Sequence, residues 1–271
     1  MIDLVGKIGS MALIDSPHHS IDYNKFAGLS RQLRPGMIWV SSGATEIGRL
    51  DYLHRNGCEL EGNPDEVKMD YASQGQAILM QTYRNFIDAR YSVRQVLVEH
   101  GHFNDAAKRE NIRQMLTRAP SQNAVPIINY NDAVSCEENR KMEILKLQRE
   151  KGNAVELVDN DETAAQIACL VNAKTLLIFS TLSGIYSDIN NPSSLISEIS
   201  APTVYEALEK IEKVKGLCKG ASRAGANGAK AKLEYIKPCV AAGVKVIIAS
   251  AEHSIEEILA GKAPCTRIFT R

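Results

Sequence analysis

The sequence predicts an α/β protein, a three-layer αβα sandwich with a mostly parallel central sheet. Two observations predict it. Short aliphatic and β-branched runs alternate with longer segments of helical period, the element order that builds a parallel sheet through crossover helices. Several of those runs are apolar on both faces, as strands covered by helices on each side must be.

Taken in order, the strands are "LVGKIGSMAL" (4–13), "MIWVSS" (37–42), "SVRQVLVE" (92–99), "AVPIINY" (124–130), "KTLLIFS" (174–180) and "VKVIIAS" (244–250). Helical patterns fall between them, roughly over 20–33, 43–55, 66–89, 105–118, 161–172, 203–214 and 228–242. The helix over 66–89 shows Ala72, Ile78, Leu79 and Tyr83 among polar residues, a stripe that suits core packing better than a subunit contact. Segment 136–154 is polar with scattered Met142, Ile144, Leu145 and Leu147, and reads as either a hairpin or a surface helix. "INNPSS" (189–194) is a turn, and "GLCKGASRAGANGAKAK" (216–232) is a small-residue stretch feeding a helix.

Composition narrows the function classes. The 271 residues carry 32 basic and 32 acidic side chains, a balance that points to neither a nucleic-acid nor a membrane partner. The apolar share of 44% suits a protein with a sizeable core. No run is long and apolar enough to span a bilayer, and the N-terminus shows no leader pattern. The six cysteines (58, 136, 169, 218, 239, 265) are scattered without a CxxC pair, which reads as reduced thiols in the cytoplasm and no metal site. His18-His19 beside Pro17 reads as a surface turn.

Ligands of doubly wound sheets gather where strands run into helices. In "GKIGS", Lys7 follows an apolar run and must be solvated or paired. It reads either as an edge lysine or as an ammonium aimed at a phosphate, with Gly9 admitting close backbone approach and Ser10 following. In "VSSGATEIG", Ser42 and Gly43 precede a helix whose first N–H groups suit an anion, or Ser42 simply caps it. Two polar knots end neighbouring strands: Asn129, Asn131 and Asp132, then Asp159, Asn160 and Asp161. Asp161 as an N-cap and Glu162 in the first turn account for part of the second knot. Carboxylates repel phosphate, so the knots suit an ammonium group, fixed lysines or outer-shell Mg²⁺. Gly225 and Gly228 precede Lys230 and Lys232 without P-loop spacing, leaving a phosphate-covering loop and a solvated basic turn both open.

In this order the motifs resemble the amino acid kinase family, over residues 4 to 250. "VPIINYNDAV" followed by "DND" is similar to the family's VPIINENDxV and GDND; "VSSGATEIG" to [TS]SGAxxxG; "SQGQAILMQTY" to its GQxxLxxxY helix. "LLIFSTLSGIY" is similar to LLLLTDxxGLY and "GAKAKLEYIKPCVAAGVKVIIA" to GMxTKLxAAxxAxxxGxxxxIA. The branch most resembled phosphorylates the side-chain carboxylate of glutamate with ATP and Mg²⁺, at the entry to proline biosynthesis. The resemblance implies a single domain, 1–271, with an acceptor side over about 1–165, a nucleotide side over about 166–271 and no further C-terminal domain. It implies a cytoplasmic homo-oligomer, dimer or tetramer.

By the same resemblance, Lys7, Lys232 and Asp161 are catalytic: Lys7 at the transferring phosphoryl group, Lys232 near the nucleotide phosphates, Asp161 orienting both. Ser42, Gly43, Asp132, Asn160 and Asn129 would bind the amino-acid substrate. Lys7, Gly9, Ser10, Ser180, Thr181, Gly225, Gly228 and Lys232 would bind the nucleotide. Tyr130 stands where the family has Glu, Val158 where it has Gly, and Ser180-Thr181 where it has Thr-Asp. Ala226-Asn227-Gly228-Ala229 replace its paired glycines. These departures leave three readings: a glutamate kinase, a kinase for another acid or a small phosphate or phosphonate, and a weakly catalytic nucleotide or amino-acid sensor.

Overall fold

A computed structural model describes residues 1–135, 137–152, 154–157, 159–218 and 228–271, and within these leaves aside the side chains of 137–139 and 151. The elements begin with β1 (Leu4–Ile8), β2 (Ile14–Asp15), β3 (Ser20–Ile21), α1 (Tyr23–Ser30), β4 (Met37–Ser41), α2 (Ala44–Asn56) and α3 (Pro64–Phe86). There follow β5 (Ser92–Val98), α4 (His100–Asn104), α5 (Ala106–Arg118), β6 (Ala124–Tyr130), α6 (Glu137–Lys151) and α7 (Asn160–Leu170). The remainder are β7 (Thr175–Ser180), β8 (Ile185–Tyr186), β9 (Leu195–Ile196), β10 (Glu198–Ala201), α8 (Val204–Leu217), α9 (Gly228–Tyr235), α10 (Lys237–Ala241), β11 (Lys245–Ser250), α11 (Ile255–Leu259) and β12 (Cys265–Thr270).

The chain forms two compact units. One comprises Met1–Ile8, Gly36–Ile38 and Asp161–Arg271; the other comprises Gly9–Pro35 and Trp39–Asn160. Both are α/β with mostly parallel pairing, the class the sequence predicts.

In the first unit the strands run in the order β10-β12-β11-β7-β1. All pairs are parallel except β11 with β12. Every residue of β1 is buried, and β7 and β11 are nearly so, which explains their unbroken apolar runs. Register aligns their carboxyl ends: Lys7 sits opposite Ile178, and Ser180 opposite Ser250. The sequence reading missed β10 and β12, whose apolar residues are interrupted by polar ones.

In the second unit β4, β6 and β5 pair in parallel, with β6 fully buried and β5 half exposed. The predicted strand over 4–13 ends at Ile8, and a 3-10 turn over Ser10–Leu13 follows. α3 starts cleanly: Asn63 accepts a bond from Asp65 N at 2.9 Å, and Pro64 takes the first helical position. Of its predicted stripe, Ala72, Leu79 and Tyr83 are core, as read from the sequence, while Ile78 is half-buried. α2 and α3 meet backbone to backbone. A Cβ on Gly48 would lie 1.8 Å from the Tyr71 carbonyl oxygen, and one on Gly75 would lie 1.8 Å from that of Ala44. Within segment 136–154, α6 (Glu137–Lys151) is helical, burying Ile144 while Met142 and Leu145 face solvent. Among the described residues no helix is long and apolar enough to cross a membrane.

Candidate active site

The first unit brings three predicted residues together. Lys7 at the end of β1 places Nζ 2.6 Å from Asp161 Oδ1. Lys232 in α9 places Nζ 2.9 Å from Asp161 Oδ2. Lys7 is 9% exposed and Asp161 4%, so the edge-lysine reading fails and the pairing reading holds. Asp161 is not the N-cap; it lies inside the first turn of α7, where the helix dipole favours a negative charge. Burial works to raise the Asp161 pKa, but the charges and hydrogen bonds of Lys7 and Lys232 outweigh it and hold the carboxyl below its ordinary range. One carboxylate faces two ammonium groups, so the cluster carries excess positive charge in a desolvated setting.

Lys232 also lines an open cleft, together with Ser180, Gly228, Leu182, Tyr186 and Ile189. Its mixed apolar and polar lining is of the kind that small-molecule sites use. Gly228 opens α9 with a φ of 54°. Thr181 is exposed and is not among the residues that line the cleft. Gly225, Ala226, Asn227 and Val158 lie outside the described residues.

The second unit holds a neutral polar network. Asn160 Nδ2 donates to Ser42 Oγ at 2.9 Å and to Asn129 Oδ1 at 3.0 Å. Asn129 in turn donates to Gln76 Oε1 at 2.9 Å, and its Oδ1 also accepts from Tyr130 N. Asn160 Oδ1 is buried and has no hydrogen-bond partner among the described residues. A buried acceptor left unmet costs free energy unless a ligand donor reaches it.

Ser42 does not cap α2. Gly43 holds that position with a φ of 116°, in the left-handed region a side chain resists, which leaves the Ser42 hydroxyl to Asn160. Gly9 is extended, at φ −80° and ψ 156°, and Ser10 opens the 3-10 turn.

Asp132 is half-buried and pairs with Lys68 of α3 at 3.7 Å. Burial raises its pKa, against the charges of Lys68 and Arg140. The Arg140 guanidinium lies 5.9 Å from the centre of the Tyr130 ring, and Tyr130 Oη bonds Ser135 Oγ at 2.9 Å. Asn131 is spent on Glu99, to which it donates at 2.7 Å. Sequence reasoning missed Gln76, Lys68 and Arg140. Gln76 stood inside the quoted "SQGQAILMQTY"; Lys68 comes from a helix remote in sequence from "NYNDAVS", and Arg140 from α6, which begins directly after it.

A resident metal finds no seat here. Among the described residues no three His, Cys, Asp or Glu side chains converge, and both Asp161 oxygens are occupied by ammonium groups.

Residues 4–250 match the model of the amino acid kinase family. The chain is 31% identical to glutamate 5-kinase of Gloeobacter violaceus, over 98% of this chain and 68% of that one. It is 28% identical to glutamate 5-kinase 2 of Bacillus licheniformis, over 96% of this chain and 65% of that one, so it spans about two thirds of these relatives. The fold is similar to that of carbamate kinase from Giardia lamblia bound to AMP-PNP, with a TM-score of 0.62, 15% identity and 100% and 99% coverage.

Proposed function

The chain belongs to the amino acid kinase family, and on that premise we propose that it transfers the γ-phosphoryl group of ATP to the side-chain carboxylate of glutamate. The product is an acyl phosphate. The observation that carries this reading is the Lys7–Asp161–Lys232 cluster.

Phosphoryl transfer asks for in-line placement and cationic stabilisation of charge on the migrating group, more than for covalent work by the protein. ATP would lie in the cleft beside Lys232, with its base against Leu182, Tyr186 and Ile189. Lys7 and Lys232 are held by one buried aspartate, so they meet developing negative charge without having to reorganise. The acceptor carboxylate is already ionised near neutral pH and needs no general base. Mg²⁺, which the family implies, would come with the nucleotide phosphates, since the described side chains form no cage for it.

The acceptor would sit against the second network. The unmet Asn160 Oδ1 and the Asp132 carboxylate suit an ammonium group. Lys68 and Arg140, beside Asp132, suit the α-carboxylate. In this reading the first compact unit is the nucleotide side, the second is the acceptor side, and the enzyme is a cytoplasmic homo-oligomer that feeds proline synthesis.

The same two cations favour a second reading, a phosphorylated acceptor. Asp132 and the acceptor-only Asn160 oxygen oppose it. One experiment addresses both: protein with Mg-ATP and each candidate acid, with hydroxylamine to trap acyl phosphate. Hydroxamate from glutamate, absent in a Lys7→Ala control, is the expected result. ADP release with a phosphate monoester but no hydroxamate would replace the first reading with the second.

A further inference from the structure

We propose that Cys169 and Cys239 are a redox modification site, a thiol pair that closes to a reversible disulfide and clamps α7 to α10. Their Sγ atoms lie 3.1 Å apart. The Cys239 sulfur also lies 3.2 Å from the Ala165 carbonyl oxygen of α7, which seats it where α10 packs against that helix. A disulfide spans about 2.05 Å, so the sulfurs have about 1 Å to travel, a distance small side-chain rotations can cover.

The two thiols differ in the way a stepwise exchange needs. Cys169 is half-buried and reachable, whereas Cys239 is fully buried. A hydrogen bond from Cys239 draws Cys169 toward its thiolate, against the opposing effect of burial. The same bond, together with burial, holds Cys239 protonated. The oxidant class is a small soluble disulfide. The Cys169 thiolate attacks one of its sulfurs, breaking that S–S bond and releasing one small thiolate. Cys239 then gives up its proton to the released thiolate and attacks the Cys169 sulfur, expelling the second thiolate, which picks up the proton Cys169 gave. Two protein thiols are oxidised and one small disulfide is reduced to two thiols. The bond joins α7, with Asp161 in its first turn, to α10, which follows the α9 that carries Lys232.

The test is to incubate the full chain with oxidised glutathione, alkylate the remaining thiols in denaturant, and map the peptides by mass spectrometry. The expected result is a linked Cys169–Cys239 peptide, a mass loss of about 2 Da from the protein, and recovery of both thiols on reduction. A Cys239→Ala variant is expected to stop at a glutathione adduct on Cys169, while Cys58→Ala behaves as the parent. Two free thiols after oxidation, a persistent adduct on Cys169 in the parent protein, or linkage to a different cysteine would each overturn the proposal. The parent protein alone decides the matter if Cys239→Ala fails to fold.

Discussion

The two polar clusters solve different physical problems. Around Asp161 the chain buries ions, and each oxygen of the carboxylate is met by an ammonium group under 3 Å away. Around Asn160 it buries neutral amides and a hydroxyl, and leaves one carbonyl oxygen open. Buried ions cost several kcal/mol each in desolvation and persist only in close pairing. Neutral groups cost far less to bury, so a network of them tolerates an acceptor with no partner among the described residues. In the proposed reading, charge stabilisation falls to the first cluster and recognition to the second.

The largest expected effect comes from breaking the ionic cluster at its centre. Asp161→Asn leaves two ammonium groups facing each other, and should lower unfolding stability by about 3 kcal/mol. It should also reduce kcat for hydroxamate formation by about 1,000-fold. Denaturant melts and steady-state rates on the same preparation check both. Lys7→Met comes next, with a drop of about 100-fold in kcat and little change in KM for glutamate. Equal kcat in variant and parent would remove the cluster from the chemistry.

The recognition side should behave in the opposite way. Asn160→Ala is expected to raise KM for glutamate about 10-fold while kcat moves less, the pattern of lost ground-state binding. Lys68→Met should raise KM about 5-fold for glutamate and much less for 4-aminobutyrate, which lacks the α-carboxylate. Equal loss with both acceptors would mean Lys68 contributes only through Asp132.

The smallest expected effect, and the one specific to the ionic cluster, is on acid stability. The Asp161 pKa in the folded chain lies below its ordinary value. Its contribution is therefore complete above the unfolded value near 3.8 and is lost as pH falls through the lower, folded value. Stability against pH should fall less steeply below about pH 4 in Asp161→Asn than in the parent. Matching acid limbs would contradict the depressed pKa.

How much of this was legible in the sequence depended on range. The buried parallel strands announced themselves, since a strand apolar on both faces has few other homes. β10 and β12 did not, because Glu198, Ser200, Thr266 and Arg267 interrupt their apolar residues and their place comes from the partner, here each other and β11. α6 was ambiguous because its apolar residues are sparse and, among its described side chains, only Ile144 is buried. Lys7, Asp161 and Lys232 could be named from their motifs, but that one carboxylate grips both lysines is a tertiary fact. Ser42 was misjudged locally as a possible cap: the left-handed Gly43 takes that role, and the backbone kink frees the hydroxyl. Lys68 was invisible beside "NYNDAVS" because helix α3 delivers it; Arg140 stands only five residues past Ser135, but that α6 carries it over the Tyr130 ring is a fact of the fold.

The glycine crossing of α2 and α3 has a consequence for how such a protein changes over evolutionary time. Where two main chains touch with no side chains between them, no spacer exists to be lengthened or trimmed by mutation. The hydroxyl that precedes α2 and the amide and ammonium carried along α3 are therefore mounted on a fixed strut. New acceptors would have to be recruited by exchanging the side chains at its tips, one at a time, and not by sliding the helices to a new spacing.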